Sequence, residues 1–110
     1  MIQETIVKIR RKFDRIESLD EAKRAELHEL LSTLESEVRT LSEANPDHAE
    51  SIASFAHLSA HEASRKERNP HLFKLAVRGF STSVEGFETT HPRLVSVVNS
   101  ICTALANVGI

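Results

Sequence analysis

Apolar side chains recur along four stretches of the chain at alternating spacings of four and three residues. The four series are Ile2, Ile6, Ile9, Phe13 and Ile16; Leu27, Leu31, Leu34, Val38 and Leu41; Phe73, Val77, Phe80, Val84 and Phe87; and Leu94, Val98, Ile101, Leu105 and Val108. This spacing places all members of a series on one side of an α-helix, as a single apolar seam. Each seam needs another helix to shield it from water, so the pattern predicts helices that pack lengthwise.

Prolines mark where one helix ends and the next begins. Asn45-Pro46, Asn69-Pro70 and His91-Pro92 interrupt the pattern, because proline disfavours helical backbone at the preceding residue and is favoured in a helix's first turn. Ser18 and Glu21 have the spacing of a capping box, which predicts a further helix start. The sequence therefore predicts five helices, near residues 1–17, 19–43, 48–67, 70–89 and 92–107.

The predicted fold is all-α, with about five amphipathic helices in a single bundle-like domain, residues 1–110. Helices 1 and 2 form one antiparallel helical hairpin (1–44), and helices 4 and 5 form a second (69–110). The segment 46–68 between them has a weaker apolar face, so we expect it to pack shallowly or to be the most mobile helix. Two glycines at a seven-residue spacing, Gly79 and Gly86, are expected on one side of helix 4, where they admit a close neighbour.

Helix 2 has the most regular seam, and narrow seams also suit packing between chains. We therefore expect oligomerisation to complete the bundle, as a homo-oligomer and a dimer before other assemblies. An unidentified protein partner is the other candidate. The predicted interaction residues are the members of the helix 2 seam, namely Leu27, Leu31, Leu34, Val38 and Leu41.

Composition limits the class of protein. The chain has 110 residues, of which 40% are hydrophobic and 27% charged, and these values are ordinary for a globular domain. The single cysteine, Cys102, excludes an intramolecular disulfide and is expected to be a small buried hydrophobe. No apolar run reaches the length of a transmembrane segment, so we expect a cytoplasmic protein.

Positive charge is concentrated at the start of the chain. The net charge of −2 divides into +3 for residues 1–16, −7 for 17–50, +3 for 51–78 and −1 for the rest. A basic stripe on helix 1, opposite its seam, suits nucleic-acid phosphates or an anionic membrane surface. The acidic total and the lack of Tyr and Trp disfavour nucleic acid, and pairing with acidic helix 2 is the simpler interpretation. The stripe consists of Lys8, Arg11, Lys12 and Arg15.

His57 and His61 stand four residues apart on helix 3, a spacing at which both can bind Zn²⁺. No third ligand accompanies them, and no acid lies between them as in H-E-x-x-H, so a solvated face is the preferred interpretation. Glycine-rich phosphate loops, paired cysteine ligands and a G-x-S-x-G turn are also missing from the sequence. We expect no catalytic residue, no metal and no cofactor.

The C-terminal residues carry a recognisable pattern, F-E-x-x-H-P-x-L from Phe87 to Leu94 and A-L-A-N-x-G-I from Ala104 to Ile110. This signature resembles that of a family of small, uncharacterised bacterial helical proteins, a domain of unknown function. The resemblance implies a bacterial, cytoplasmic protein and supplies no activity, substrate or catalytic residue. It also implies that the segment 46–68 is an insertion relative to shorter members of that family.

The function that the sequence favours is a non-enzymatic protein–protein interaction or assembly module of unknown pathway. One alternative is a nucleic-acid or membrane-surface accessory protein that acts through the basic stripe. The other is a metal-binding helical protein that uses His57 and His61.

Overall fold

The computed structural model describes residues 2–108, and in that range the chain forms α-helices and no strand. The helices are α1 (Ile2–Asp14), α2 (Glu21–Ser42), α3 (Pro46–Ser64), α4 (Pro70–Thr82) and α5 (Pro92–Ala106). The all-α prediction, with five helices, is confirmed. The last two residues of the C-terminal signature lie outside the described residues.

Consecutive helices pack side by side in opposite directions. Arg10 of α1 donates a hydrogen bond to the Ser32 hydroxyl, whereas the later α1 residue Phe13 accepts one from Arg24, so α1 and α2 are antiparallel. Helices α4 and α5 also contact each other, although α5 packs mainly against α2. Both predicted hairpins are therefore present, and they share one core.

Helix α3 lies at the centre of the bundle, in contact with all four other helices. The expectation that it packs shallowly was wrong. Its inner face consists mostly of small side chains, with Ile52 as the one large apolar residue. Small side chains let neighbouring helices approach closely, since interaxial distance depends on the side chains at the contact. The buried small residues of this face are Ala49, Ala53, Ala56, Ser59, Ala60 and Ala63.

The seam of α2 is covered by helices of the same chain. Leu27, Leu31, Leu34, Val38 and Leu41 are fully buried, and α2 contacts α1, α3 and α5. These side chains form part of one core together with the large residues Phe13 and Phe80. The seam predicted as a shared interface therefore faces the chain's own helices, while oligomerisation itself stays a prediction.

Helix α1 ends at Asp14, three residues before the predicted end, because Arg24 of α2 replaces the missing helical hydrogen bonds. The Arg24 guanidinium donates to the carbonyl oxygens of Phe13, Ile16 and Leu19 at 2.7, 3.1 and 3.2 Å.

The N-terminal cap of α2 also differs from the prediction. Asp20 is the N-cap and accepts a hydrogen bond from the backbone N–H of Lys23, in place of a capping box begun at Ser18.

Helix α4 ends at Thr82, well before the predicted end near residue 89, and the predicted glycine pair does not share a helix. Gly86 lies in the connection to α5 with a φ of +96°, a backbone conformation that favours glycine. Val84 and Phe87 remain in contact with the core from this connection, which explains why the seam pattern continues past the end of the helix.

Candidate functional site

The structure brings together two candidate sets that are far apart in the sequence. Helices α1 and α3 pack against each other and run in the same direction: His57 lies near Lys8 and Lys12, and Arg15, later in α1, lines a cleft with Ser64, later in α3. Two of the four stripe residues therefore stand beside the histidine pair. We call Lys8, Lys12, His57 and His61 the basic cluster.

The electrostatic environment of His57 reflects this arrangement. Burial, and then the positive charges of Lys12 and Lys8 and the neighbouring His61, hold the pKa of His57 below its usual value. His57, His61 and Lys12 are partly buried and Lys8 is exposed. The cluster is consequently a region of positive potential, in which the protonated form of His57 is disfavoured.

No acid neutralises the basic cluster within residues 2–108, where none of its four side chains takes part in an ion pair or a side-chain hydrogen bond. The expected pairing of the stripe with acidic α2 does not occur in that range. Helix α2 pairs its own Glu35 with Arg39 at 2.9 Å, and Nε2 of its His28 donates a hydrogen bond to Oδ1 of Asp14 at 2.8 Å. Arg10, which is not a stripe residue, donates hydrogen bonds to His28 and Ser32 of α2.

The cluster does not resemble a metal centre. Among the described residues no group of three or more His, Cys, Asp and Glu side chains is arranged to hold a metal ion. His57 and His61 have two ammonium groups as neighbours, and these repel a divalent cation. The metal-binding interpretation of the histidine pair therefore has no third ligand and an unfavourable field.

A second surface lies where α3 meets α4, and sequence reasoning missed it. Four large apolar side chains are exposed there: Phe55 (36%), Leu58 (44%), Leu72 (43%) and Leu75 (65%). We call them the apolar patch. Phe55 stands three residues from the buried Ile52, a spacing that predicts a buried position, and the available signal was that Leu72 and Leu75 stand outside the α4 seam. Exposed apolar side chains grouped in this way mark interaction sites more often than scattered ones do.

Close approach of the two helices explains the position of Phe55. Helices α3 and α4 are antiparallel, because His48 hydrogen-bonds the carbonyl of Ser83 while the later residue Phe55 lies over the earlier Gly79. A Cβ at Gly79 would stand 2.5 Å from Cε1 of Phe55, so only glycine leaves room for the ring. By the same register Leu58 stands near the level of Leu75, and Leu72 lies one turn before Leu75 on α4.

Charges of opposite sign border the apolar patch on its two helices. Asp47 and Glu50 of α3 line a groove of about 430 Å³ together with Phe55 and Leu58. Helix α3 carries no Lys or Arg. Helix α4 contains no acidic residue and exposes Lys74 and Arg78. The patch is thus bordered by an acidic helix and a basic helix.

Two other reactive or charged groups have structural explanations. Burial raises the pKa of the Cys102 thiol to about 11, and its Sγ lies 3.8 Å from the carbonyl oxygen of Val77. The thiol therefore stays protonated and unreactive near neutral pH. The buried Glu62 carboxylate pairs with Arg65 at 2.9 Å, so its charge is compensated where α3 ends.

Comparison with known proteins identifies the chain only at the level of its family. A family model described as "Domain of unknown function (DUF4404)" matches residues 2–110. No curated protein and no solved structure matches the chain. None of the helices within the described range has the length and apolar character required to cross a membrane.

Proposed function

The chain belongs to this family of unknown function, and from the surface between α3 and α4 we propose that it is a non-enzymatic assembly module that forms a homodimer through the apolar patch. The observation that carries the proposal is the exposure of four large apolar side chains on the neighbouring helices α3 and α4, namely Phe55, Leu58, Leu72 and Leu75. Burying these side chains against a partner removes apolar surface from water, which is the main favourable contribution to association.

A second copy of the chain is the occupant that the charges favour. In a two-fold dimer the same surface is used by both copies and must complement itself. Rotation about an axis that runs along the groove places α3 of one copy on α4 of the other. The acidic helix α3, with Asp47 and Glu50, then lies against the basic helix α4 of the partner copy, with Lys74 and Arg78, and the apolar patches lie between the helices.

The alternatives suit this surface less well. An anionic membrane or a nucleic acid would meet Asp47 and Glu50 at the edge of the patch, and like charges repel. The seam of α2 is buried within the chain, so an interface there would require the bundle to open. A bacterial cytoplasmic location, which the family resemblance implied, belongs to the same proposal.

The test is the molar mass in solution, by light scattering after size exclusion with refractive-index detection, since the chain has no Trp or Tyr. We expect a mass of two chains for the unchanged protein. Leu75→Asp should give a monomer with unchanged helicity, because Leu75 is 65% exposed and its replacement removes only intermolecular contacts. Val7→Asp is the matched control: Val7 is 43% exposed on α1, away from the patch, and the variant should remain a dimer.

A monomeric unchanged protein at high concentration would refute the homodimer. A dimer that survives Leu75→Asp but dissociates with Val7→Asp would place the interface on α1. Far-ultraviolet circular dichroism of each variant separates loss of association from loss of folding.

A further inference from the structure

The basic cluster is a second surface that the proposed dimer does not use. It lies between α1 and α3, whereas the apolar patch lies between α3 and α4. In the sequence its members belonged to two different interpretations, a metal site for the histidines and a diffuse basic stripe for the lysines. Their proximity means that one ligand must satisfy both pairs, and the sign of its charge follows from the lysines.

The four side chains have a regular arrangement. Lys8 and Lys12 are four residues apart on α1, and His57 and His61 are four residues apart on α3. Residues at this spacing lie on one helix face, about 6 Å apart along the axis. Because α1 and α3 are parallel neighbours, Lys8 and Lys12 lie beside His57, and His61 lies one turn further along α3. Two ammonium groups and two imidazoles are thus the donors of this surface.

The uncompensated charge indicates an anion. Two lysines and two histidines repel one another, and within residues 2–108 no carboxylate forms an ion pair with any of them. The acids nearest to the cluster along the two helices are Asp14, two residues after Lys12, and Glu62, next to His61. Both have partners outside the cluster, because Asp14 accepts a hydrogen bond from His28 and Glu62 pairs with Arg65.

We propose that the basic cluster binds a dianionic oxyanion of the phosphate class, such as inorganic phosphate or a phosphomonoester group. Such a group presents three acceptor oxygens and about two negative charges to the donors of the cluster. Lysine is an effective phosphate ligand as a point charge, and a protonated imidazole adds a charge-assisted hydrogen bond.

Binding by this cluster depends on pH in a defined direction. The charged groups that act on His57 are Lys12, Lys8 and His61. The acids of the two helices are Glu4 and Asp14 on α1 and Asp47, Glu50 and Glu62 on α3. In the free protein the lysines disfavour protonated His57, and a bound dianion reverses this field. Anion binding therefore takes up protons, so affinity rises as pH falls through the titration range of the histidines.

The probes are inorganic phosphate and inorganic sulfate, titrated at constant ionic strength while the imidazole signals of His57 and His61 are followed by NMR. Sulfate remains a dianion throughout this pH range, so any change of its affinity with pH arises from groups of the protein. We expect saturable shifts with a dissociation constant in the millimolar range, below ~10 mM. Sulfate should bind several-fold more tightly near pH 6 than near pH 8.

The variants separate a defined site from diffuse positive charge. Lys8→Gln/Lys12→Gln should weaken phosphate binding about tenfold or more, the usual effect of losing charge-assisted hydrogen bonds. Arg11→Gln/Arg15→Gln is the matched control, since it removes the same charge from the exposed remainder of the stripe. It should leave the affinity within about twofold. His57→Gln/His61→Gln should abolish the pH dependence of sulfate binding.

A phosphate group can come from solution or from a lipid headgroup, and vesicles distinguish these sources. Phosphatidylcholine vesicles with and without phosphatidic acid are compared in co-sedimentation. Binding that requires phosphatidic acid and both lysines assigns a headgroup, and saturable binding of free phosphate without vesicle binding assigns a soluble ligand. The proposal is overturned if neither probe binds, if both double variants weaken binding equally, or if Zn²⁺ shifts the histidine signals at micromolar concentration while phosphate does not.

Discussion

Helices α2 and α3 form the middle of the bundle with opposite kinds of side chain. The apolar residues of α2 are large and perfectly periodic, whereas the buried face of α3 is built mostly from alanine. The regular pattern predicted an intermolecular interface and is instead covered by α1, α3 and α5. The weak pattern predicted a peripheral helix and belongs to the one that touches all the others.

The difference shows that the strength of an apolar seam and the centrality of a helix are separate properties. A seam of large apolar residues indicates that a helix must pack against another helix. It does not indicate whether that helix belongs to the same chain or to another chain. A face of small residues gains less from burial, yet it allows close approach on several sides. For α3, that close approach leaves its remaining large apolar residues, Phe55 and Leu58, at the surface.

The largest expected loss of stability comes from a substitution in the seam of α2. Leu34→Asp places a charge at a fully buried position of the seam, and we expect the free energy of unfolding to fall by about 4 kcal/mol or more. Urea denaturation followed by circular dichroism measures it. Val7→Asp introduces the same charge at an exposed position and should change this free energy by less than ~0.5 kcal/mol. Equal stabilities for the two variants would mean that the seam is not in the core.

A smaller loss is expected when α3 is given a large side chain. Ala60 is fully buried, so the larger side chain of Ala60→Leu overpacks the core around it. We expect the free energy of unfolding to fall by about 1–3 kcal/mol. Ala25→Leu on exposed α2 surface is the matched control and should lie within ~0.5 kcal/mol of the unchanged protein. An Ala60→Leu variant as stable as this control would contradict the close packing of α3.

Coupling between Gly79 and Phe55 measures the approach of α4 to α3. Gly79→Ala gains about 1 kcal/mol of helix propensity, but its Cβ displaces the Phe55 ring. In a Phe55→Ala background only the gain remains. A double-mutant cycle should therefore give a coupling energy of about 1 kcal/mol. Additive effects of the two substitutions would show that the ring is not held against Gly79.

The smallest expected effect on stability is an increase, and it comes from replacing Ser59. Ser59 is fully buried on α3, and its hydroxyl has no hydrogen-bond partner among the described residues. Ser59→Ala removes this unsatisfied group and should raise the free energy of unfolding by about 0.5–1 kcal/mol. Ser54→Ala, at an exposed position of the same helix, should change it by less. Destabilisation by Ser59→Ala would show that the hydroxyl has a partner in solution.

The sequence predicted the features that depend on neighbouring residues along the chain. Helical periodicity, X-Pro breaks and the capping pattern at Ser18 and Glu21 located all five helices. Asn69, in one of the X-Pro breaks, caps α4 and accepts hydrogen bonds from the N–H groups of His71 and Leu72. The end of α4 was missed because Val84 and Phe87 keep the seam spacing from the following turn.

The basic cluster and the apolar patch could not be predicted from the sequence, because each depends on how the helices pack in the folded chain. Lys8 and Lys12 meet His57 only because α1 packs beside α3, which is not its neighbour in sequence. The apolar patch depends in the same way on Leu58 and Leu75 being level across two antiparallel helices. Periodicity identifies the buried face of each helix, but it does not say which exposed residues of different helices come together.

The central claim, that α2 serves the chain's own core while the surface between α3 and α4 serves assembly, is tested most directly with two oppositely charged variants. Asp47→Lys/Glu50→Lys makes both helices of that surface basic, and Lys74→Glu/Arg78→Glu makes both acidic. Light scattering should give one chain for either variant alone and two chains for an equimolar mixture, because charge complementarity returns only between them. Dimers of either variant alone, or a mixture that stays monomeric, would contradict the account.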